Sequence, residues 1–360
     1  MSNQIVVSFV HGYNDLDIAL PEQERPALWA IDGEEKKIFS YPFPRNPTDF
    51  KKYSQLMLGE MPYANSPEFK KLPRFGFTGL SQWDEYIYAG SWNSIYKIRK
   101  NDFGLEAIIS NHLISDPHGI CIDGDTIYTI LTGKDTIVLT DHNGNIKDHF
   151  SVEKDLSISK YNDLDSVDWR FISKQFRGST GFWHFNYIQK IGNELWLTSR
   201  NANAFVVVDL ISKNVTLRLM NLCTPVLLHD GRHINGKYYF TSIDGKIIIA
   251  MPHETSDIVS REAIDDIHLY NRDLEASLIR LSETSLGKEP NWCRGIDKIG
   301  STILVTIDGR YDSDLSFGLL AIDEDTQKII FNHRLKWKDL DKEIDLRYVT
   351  GFDVMAVVDG

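Results

Sequence analysis

The amino-acid sequence predicts an all-β protein, namely a six-bladed β-propeller built from four-stranded blades. Three observations predict this fold. Apolar residues alternate with period two along most of the 360 residues, whereas long stretches at helical spacing are scarce. The strands recur in a constant order, roughly 40 to 68 residues apart. A small sheet of this kind buries both of its faces only between two neighbours, which a closed ring provides.

Each repeat begins with a strand that ends in a turn residue, either Gly or Asp. A second, aromatic-rich strand follows, and a third strand comes after a polar loop. The first strands fall at 78–84, 118–124, 186–192, 232–236 and 294–300. The second and third strands of these repeats fall at 86–89 and 94–98, 126–130 and 136–140, 194–198 and 204–208, 238–241 and 246–249, and 303–306 and 318–322. The outer strand of the repeat that covers 229–280 is not evident, so five or seven blades remain alternatives.

A sixth repeat is split between the two termini. The segment 350–358 matches the first strand of the other repeats, and the strands that would follow it are at 5–10, 26–31 and 37–41. Pairing the two termini closes the ring and removes an exposed sheet edge. The sequence therefore predicts a single domain over residues 1–360.

Three connections are much longer than the rest, at about 44–76, 151–182 and 252–291. Each lies between the outer strand of one repeat and the inner strand of the next. All three should therefore open on the face of the ring that carries the loops between second and third strands. Long loops in a compact domain are usually functional or disordered. Their aromatic residues favour ordered caps rather than linkers, and these residues are Tyr53, Tyr63, Trp169, Phe171 and Phe182. Caps on a single face suggest a pocket for a particular ligand.

Composition excludes several classes of protein. The 39 Lys+Arg against 51 Asp+Glu give a net charge of −12, and no basic cluster is present, which argues against a nucleic-acid partner. No apolar run approaches the roughly 20 residues of a membrane span. The first residues lack the features of a signal peptide. Three widely spaced cysteines without a C-x-x-C pair predict a reduced, cytoplasmic protein, and they are Cys121, Cys223 and Cys293.

Three consecutive repeats place a histidine at the start of the inner strand, namely His118, His184 and His229. Imidazoles that converge on one axis are typical of Fe, Zn or Ni sites. The three histidines are therefore the predicted metal ligands, with Ca²⁺ as the second choice of metal, and His118 is also a predicted catalytic residue. The spacing from each histidine to the next turn glycine differs, so a structural role for them remains the alternative.

Two arginines are the other notable feature. Arg294 lies at the start of a predicted inner strand, and Arg310 lies in a loop beside the predicted channel. A guanidinium that loses water there needs an anionic substrate or an internal carboxylate, and both alternatives remain open. Arg294 is the second predicted catalytic residue. The predicted substrate-binding residues are Asn93, Arg200, Asn201, Trp292 and Arg310, of which the asparagines could equally serve their turns.

The segment Asp116-Pro117-His118-Gly119-Ile120-Cys121-Ile122 resembles the inner strands of the gluconolactonase, paraoxonase and strictosidine-synthase group of six-bladed propellers. In paraoxonase-like members this histidine lies near a Ca²⁺ ion that polarises a lactone or ester carbonyl. The resemblance implies that His118 occupies that place. That group holds its metal with Glu, Asn and Asp, and only Asn186 and Asp230 match this pattern here.

Three functions follow from these features. The first is a metal-dependent enzyme, a hydrolase, lyase or oxygenase, that acts on a small polar or anionic substrate. The second is metal-free catalysis of the strictosidine-synthase kind. The third is a non-catalytic propeller that binds a protein or a carbohydrate on its capped face. The fold alone does not choose among them, because propellers host all three.

Overall fold

The structure is a computed structural model of the 360-residue chain. It describes residues 3–11, 25–32, 35–63, 76–159, 168–171, 182–202, 204–219, 228–242, 246–250, 276–280, 292–308, 316–336 and 349–359.

The described residues form a β-propeller, as predicted, and its strands belong to six sheets. Sheet 1 consists of β1 (Asn3–His11), β2 (Arg25–Asp32), β3 (Glu35–Tyr41) and β26 (Val349–Asp359). Sheet 2 consists of β4 (Met57–Gly59), β5 (Gly79–Trp83), β6 (Tyr86–Ser91), β7 (Ser94–Arg99) and β8 (Leu105–Ser110). Sheet 3 consists of β9 (Pro117–Asp123), β10 (Thr126–Leu131), β11 (Thr136–Thr140), β12 (Ile146–Val152) and β13 (Ile158–Ser159).

The remaining three sheets have four strands each and follow the chain from the inner strand outwards. Sheet 4 consists of β14 (Phe185–Ile191), β15 (Glu194–Ser199), β16 (Ala204–Asp209) and β17 (Val215–Leu219). Sheet 5 consists of β18 (Leu228–Ile234), β19 (Lys237–Ser242), β20 (Lys246–Ala250) and β21 (Ala276–Arg280). Sheet 6 consists of β22 (Trp292–Ile299), β23 (Thr302–Asp308), β24 (Ser316–Asp323) and β25 (Ile329–Lys336).

The two termini close the ring, as predicted. β26 is the inner strand of sheet 1 and pairs antiparallel with β1, for example Gln4 opposite Val358. The inner strands touch one another in a circle, β5 to β9, β14, β18, β22, β26 and back to β5. A strand from each terminus is therefore needed to complete one sheet.

Hydrogen bonds that involve a side chain join every pair of neighbouring inner strands or the residues just before them. They link Thr78 to Pro117, His118 to Asn186, Gln189 to His233, Asp230 to Ile296, Asp297 to Val357, and Val357 to Gln82. Because inner strands of different sheets share no ladder hydrogen bonds, these contacts satisfy buried polar groups and fix the position of each sheet in the ring.

The core lies between the sheets. Val6 and Val7 are adjacent on β1 and both fully buried, but Val6 packs toward sheet 2 and Val7 toward sheet 6. Successive strand residues point to opposite faces, so a strand between two neighbours buries both sets. This explains why central strands such as β6 and β10 are buried along almost their whole length.

One sequence expectation needs correction. The outer strand of sheet 5 is β21, which lies inside the predicted insertion 252–291 and pairs with β20. A short outer strand is covered on one edge only and carries a weak apolar signal, so the pattern concealed it. The rest of that insertion lies outside the described residues.

Candidate functional site

The loops between second and third strands lie on the same face as the connections into the inner strands, as predicted. The backbone N–H of Asp116 donates to Trp92 O at 2.6 Å, and that of Arg200 donates to His184 O at 3.3 Å. We call this side the capped face, and the opposite side, which carries the tight turns within each sheet, the turn face. The starts of the inner strands form the channel mouth on the capped face.

The first two predicted insertions are ordered caps over sheets 2 and 3 in their described parts. Asn46 begins the short helix α1 (Pro47–Lys52), and its side chain accepts a hydrogen bond from Asp49 N at 2.9 Å. The side-chain amide of Asn93 donates to Pro44 O at 2.9 Å, which ties the start of this cap to sheet 2. Asn93 thus holds the cap in place, and its role in substrate binding stays a prediction.

The two caps meet at Arg170, whose side chain is fully buried. Its Nε lies 2.7 Å from Asp168 Oδ1, and its Nη2 lies 2.8 Å from Asp168 Oδ2. Its Nη1 donates to Glu60 O at 2.7 Å, so residues of the second insertion bind the backbone of the first. The Arg170–Asp168 ion pair is bidentate, because the planar guanidinium and the planar carboxylate form two parallel hydrogen bonds.

Aromatic side chains continue this contact across the capped face. Trp169 N donates to His112 O at 2.8 Å, and Lys134 Nζ lies 3.5 Å from the Trp169 ring centroid. The ring of Tyr63 stacks on His112 with centroids 6.5 Å apart. The caps thus form a continuous surface from the first insertion to the loop that follows β10.

His118 lies at the channel mouth and is almost fully buried. Its Nε2 is 3.2 Å from Asp116 Oδ1, and its Nδ1 is 3.3 Å from Asn186 Oδ1. Asn186 in turn donates to Leu228 O at 3.4 Å. Both partners of the imidazole are oxygen acceptors, so it donates to both only when both ring nitrogens carry a proton.

The structure does not assemble the predicted metal-ligand set. The rings of His118 and His184 are 6.2 Å apart and meet edge to face, and both nitrogens of His118 face protein oxygens. In the described part of the chain, no three side chains among His, Cys, Asp and Glu are grouped as metal ligands. His229 is the second residue of the next inner strand, β18, and its carbonyl accepts from Thr198 Oγ1 at 3.1 Å. A metal site at these three histidines therefore stays a prediction.

Asp135 holds the segment that leads into β14. It has a positive φ of 49°, and its two carboxylate oxygens accept from Trp183 N at 2.8 Å and His184 N at 3.0 Å. Burial raises the pKa of Asp135 to about 7, although the backbone N–H groups of residues 183–185 oppose this rise. Sequence reasoning did not identify the role of Asp135, because its partners lie almost fifty residues away.

A second buried carboxylate, Asp230, joins sheets 5 and 6. Its oxygens accept from Gly231 N at 2.9 Å, Arg232 Nη1 at 3.1 Å and Ile296 N at 3.2 Å. Burial outweighs the attraction of Arg232 and raises the pKa of Asp230 to about 6. The Arg232 guanidinium also lies over the ring of Tyr187, 4.3 Å from its centroid. The structure thus shows at Arg232 an internal bridge of the kind that was one of the two alternatives for Arg294.

Arg294, near the start of β22, and Arg200, in the loop after β15, both lie on the capped side of the fold. Arg294 is 4% exposed, and its carbonyl accepts from the Thr241 hydroxyl. Arg200 follows β15 and is partly buried. Burial and, after it, the positive charge of Arg294 lower the pKa of Arg200.

The other predicted substrate-binding residues are Asn201, Trp292 and Arg310. Asn201 is exposed, and its side-chain amide donates to Phe182 O at 3.0 Å, which is a loop contact. Trp292 is the first residue of β22. Arg310 lies outside the described residues. No helix among the described residues is long and apolar enough to cross a bilayer.

The chain matches no protein-family model and no curated protein. In fold it is similar to 1022 chains of solved structures. One of these belongs to the crystal structure of a nidogen/laminin complex, with a TM-score of 0.50, 10% sequence identity and 98% coverage of both chains. At this identity the similarity supports the β-propeller fold alone.

Proposed function

We propose that this chain is a six-bladed propeller that binds a protein partner on its capped face and catalyses no reaction. The observation that carries the proposal is the exposure of large apolar side chains on the caps. Met61 is 38% exposed, Tyr63 is 42% exposed and Phe182 is 39% exposed. All three belong to the two insertions that meet at Arg170.

Exposed aromatic and methionine side chains on ordered loops are typical of protein-binding surfaces. Tyr63 stacks on His112, and Phe182 packs edge to face on Trp183 with centroids 4.8 Å apart. Both rings are therefore held in place before a partner arrives, which lowers the entropy lost on binding.

The polar groups at the channel mouth are largely engaged in holding the sheets together. His118 lies between Asp116 and Asn186, and Asp230 accepts three hydrogen bonds from residues of β18 and β22. A catalytic group must be able to reach a substrate atom. The similarity in fold to a chain of a protein complex also agrees with a binding role.

The experiment uses the protein as bait in affinity purification from a lysate of the organism that encodes it. Three forms are compared, namely the wild type, Tyr63→Ser/Phe182→Ser and Ile211→Ser. We expect one protein to bind the wild type in a fixed ratio and to be lost with Tyr63→Ser/Phe182→Ser. Ile211→Ser is the matched control, because Ile211 is 74% exposed in the turn after β16, on the turn face. Retention of the partner by the double variant, or its loss with Ile211→Ser, would contradict the proposal.

A second candidate is catalysis at the channel mouth, favoured by the Asp116–His118 pair at 3.2 Å. A carboxylate that orients an imidazole is a common arrangement for general acid–base chemistry. It agrees with the resemblance to the gluconolactonase and paraoxonase group, in which lactones and esters are substrates. The test measures hydrolysis of a lactone and ester panel, together with metal content, for the wild type, His118→Ala and His118→Ala/His184→Ala. Turnover that His118→Ala abolishes would establish catalysis, and bound Fe, Zn, Ni or Ca that the double variant loses would establish a metal site.

A further inference from the structure

A small pocket opens on the capped face between the loop after β10 and the second insertion. Its lining includes Leu113, Leu131, Lys134, Thr136 and Trp169. Leu113 and Leu131 are buried, and Trp169 packs against them in one apolar cluster. We call this space the Trp169 pocket.

The walls of the Trp169 pocket favour an apolar occupant. The Thr136 hydroxyl donates to Lys134 O at 3.1 Å and hydrogen-bonds to the Ser151 hydroxyl at 2.6 Å, so its one proton is used within the protein. A polar or charged group that enters would lose its hydration against two leucine side chains and an indole ring. An apolar group gains free energy from the same transfer.

The size of the pocket limits what can enter it. The space between its walls is about 290 Å³, which includes the part that opens to solvent. Pockets that enclose drug-sized ligands have roughly 300–1,000 Å³. The Trp169 pocket is smaller than this even with its open part, so it accommodates a single side chain. A flexible aliphatic side chain fills an irregular space of this size more readily than a rigid aromatic ring does.

The Trp169 wall is held in place by the protein itself. Trp169 N donates to His112 O at 2.8 Å, and Lys134 Nζ lies 3.5 Å from the centroid of its ring. The next residue, Arg170, forms the buried ion pair with Asp168. A pocket that exists before the ligand arrives loses less entropy on binding.

The exposed aromatic residues of the proposed binding surface flank the Trp169 pocket. The ring of Tyr63 stacks on the imidazole of the residue before Leu113. Phe182 packs on Trp183, whose backbone N–H donates to Asp135 at the end of the loop that lines the pocket. The pocket is therefore continuous with this surface and lies between its two aromatic residues, where the anchor residue of a partner is expected.

We infer that the Trp169 pocket receives one aliphatic side chain, of the leucine or methionine kind, from the protein that the capped face binds. The inference rests on the proposed function, because the source of the side chain is the partner. It adds the chemistry of the partner's anchor residue, which an exposed surface alone does not specify.

The first experiment titrates the full chain with N-acetyl-leucine methylamide and follows the indole N–H signals of its eight tryptophans by NMR. Trp169→Phe and Trp83→Phe identify two of these signals, and Trp83 is the control because it is 39% exposed at the end of β5 on the turn face. We expect a saturable shift of the Trp169 signal, with a Kd on the order of 1 mM for a ligand of this size, and no such shift of the Trp83 signal. N-acetyl-serine methylamide should shift neither. No saturable shift of the Trp169 signal with the leucine probe, or an equal shift with the serine probe, would overturn the inference.

A variant that fills the pocket provides the second test. Leu131→Phe should weaken binding of the leucine probe at least about tenfold, because the larger side chain occupies the space. Ile211→Phe is the matched control, since it adds the same ring at an exposed position on the turn face and should bind as the wild type does. Undiminished binding by Leu131→Phe, or equal weakening by Ile211→Phe, would contradict the assignment of the pocket.

The source of the side chain is tested in the affinity purification. Leu131→Phe should lose the partner, whereas Tyr63→Ser/Phe182→Ser should still bind the leucine probe. A partner that Leu131→Phe retains and the double variant loses would refute this inference and leave the proposed function standing. Leucine binding by a wild type that captures no partner would refute the proposed function, and the occupant would then be a free aliphatic molecule instead of a partner's side chain.

Discussion

Two carboxylates on opposite faces of the propeller, Glu324 and Asp135, have pKa values that are shifted in opposite directions. On the turn face, Glu324 accepts from Lys237 Nζ at 2.8 Å and Tyr239 OH at 3.0 Å, and it also pairs with Lys298. Partial burial would raise the pKa of Glu324, but these donors outweigh it and lower the pKa to about 2. On the capped face, Asp135 accepts from backbone N–H groups alone among its described hydrogen bonds, and burial raises its pKa to about 7.

The difference in pKa follows from the donors that each carboxylate binds and from the cost of its burial. Glu324 on the turn face is partly buried, but it binds charged and hydroxyl side-chain donors, whose attraction outweighs the desolvation of its carboxylate. Carboxylates on the capped face fix backbone segments from distant parts of the chain, and burial is the cost of that task. Substitutions should therefore have larger effects on the capped face than chemically matched ones on the turn face.

The largest effect is expected at Arg170. Arg170→Ala leaves Asp168 buried without its partner and removes the donor to Glu60 O, so it should lower the free energy of unfolding by about 3–5 kcal/mol. Urea denaturation measures this change. Arg99→Ala is the turn-face counterpart, because its side chain is 38% exposed and its ion pairs are solvated. It should leave the denaturation midpoint unchanged.

A double variant sharpens this prediction. Arg170→Met/Asp168→Leu removes both charges, so it should destabilise the protein less than Arg170→Ala does, because no unpaired charge stays buried. Equal losses for the two variants would show that packing rather than the ion pair makes Arg170 important. A loss for Arg170→Ala as small as that for Arg99→Ala would contradict the comparison of the faces.

The next largest effect is the pH dependence that Asp135 gives to the free energy of unfolding. Its pKa rises from 3.8 to about 7 in the folded protein, so folding takes up a proton between these values. The contribution of the protonated group is fully present below pH ~4 and is lost as the pH rises through 7. The stability advantage of the wild type over Asp135→Asn should therefore shrink by an amount on the order of 3 kcal/mol between pH 4 and pH 7. Asparagine tolerates the positive φ at this position. A constant difference across this range in urea denaturation would disprove the assignment.

Glu324 on the turn face should show the opposite sign. Its pKa falls from 4.5 to about 2 on folding, so its contribution is present above pH ~4.5 and is lost as the pH falls toward 2. The stability difference between the wild type and Glu324→Gln should be largest near pH 7 and should shrink between pH 5 and pH 3. Solvent screening makes this effect smaller than that of Asp135. The same denaturation series at each pH tests it, and a difference that grows on acidification would contradict it.

The repeats of the propeller were predictable because their signals are local. Glycines end the turns between first and second strands, and Gly124, Gly192 and Gly300 all have a φ of +57°. Residues other than glycine adopt this backbone conformation at a cost, so the glycines mark the turns in the sequence itself. The split sheet was predictable for the same reason, since 350–358 has the pattern of an inner strand.

The site was less predictable because its contacts are remote in sequence. Arg232 is buried by Tyr187 from another sheet, and Arg170 binds the backbone of a cap more than a hundred residues earlier. No periodic pattern describes such contacts. The sequence likewise could not show which donors Asp135 and Asp230 bind, because most of those donors lie in other sheets or loops.

The smallest measurable effect is expected at the threonines that join neighbouring sheets. Thr241 Oγ1 accepts from Asp230 N at 3.1 Å and donates to Arg294 O, so Thr241→Val leaves two buried backbone groups without this partner. The free energy of unfolding should fall by about 1–2 kcal/mol, because the variant keeps the shape of the side chain and loses only its hydrogen bonds. Thr126→Val is the turn-face control, since its hydroxyl donates to the exposed Asp125 at 3.1 Å, where water can replace it. Equal effects of the two substitutions on stability would mean that the contacts between inner strands add nothing beyond the packing of the sheets.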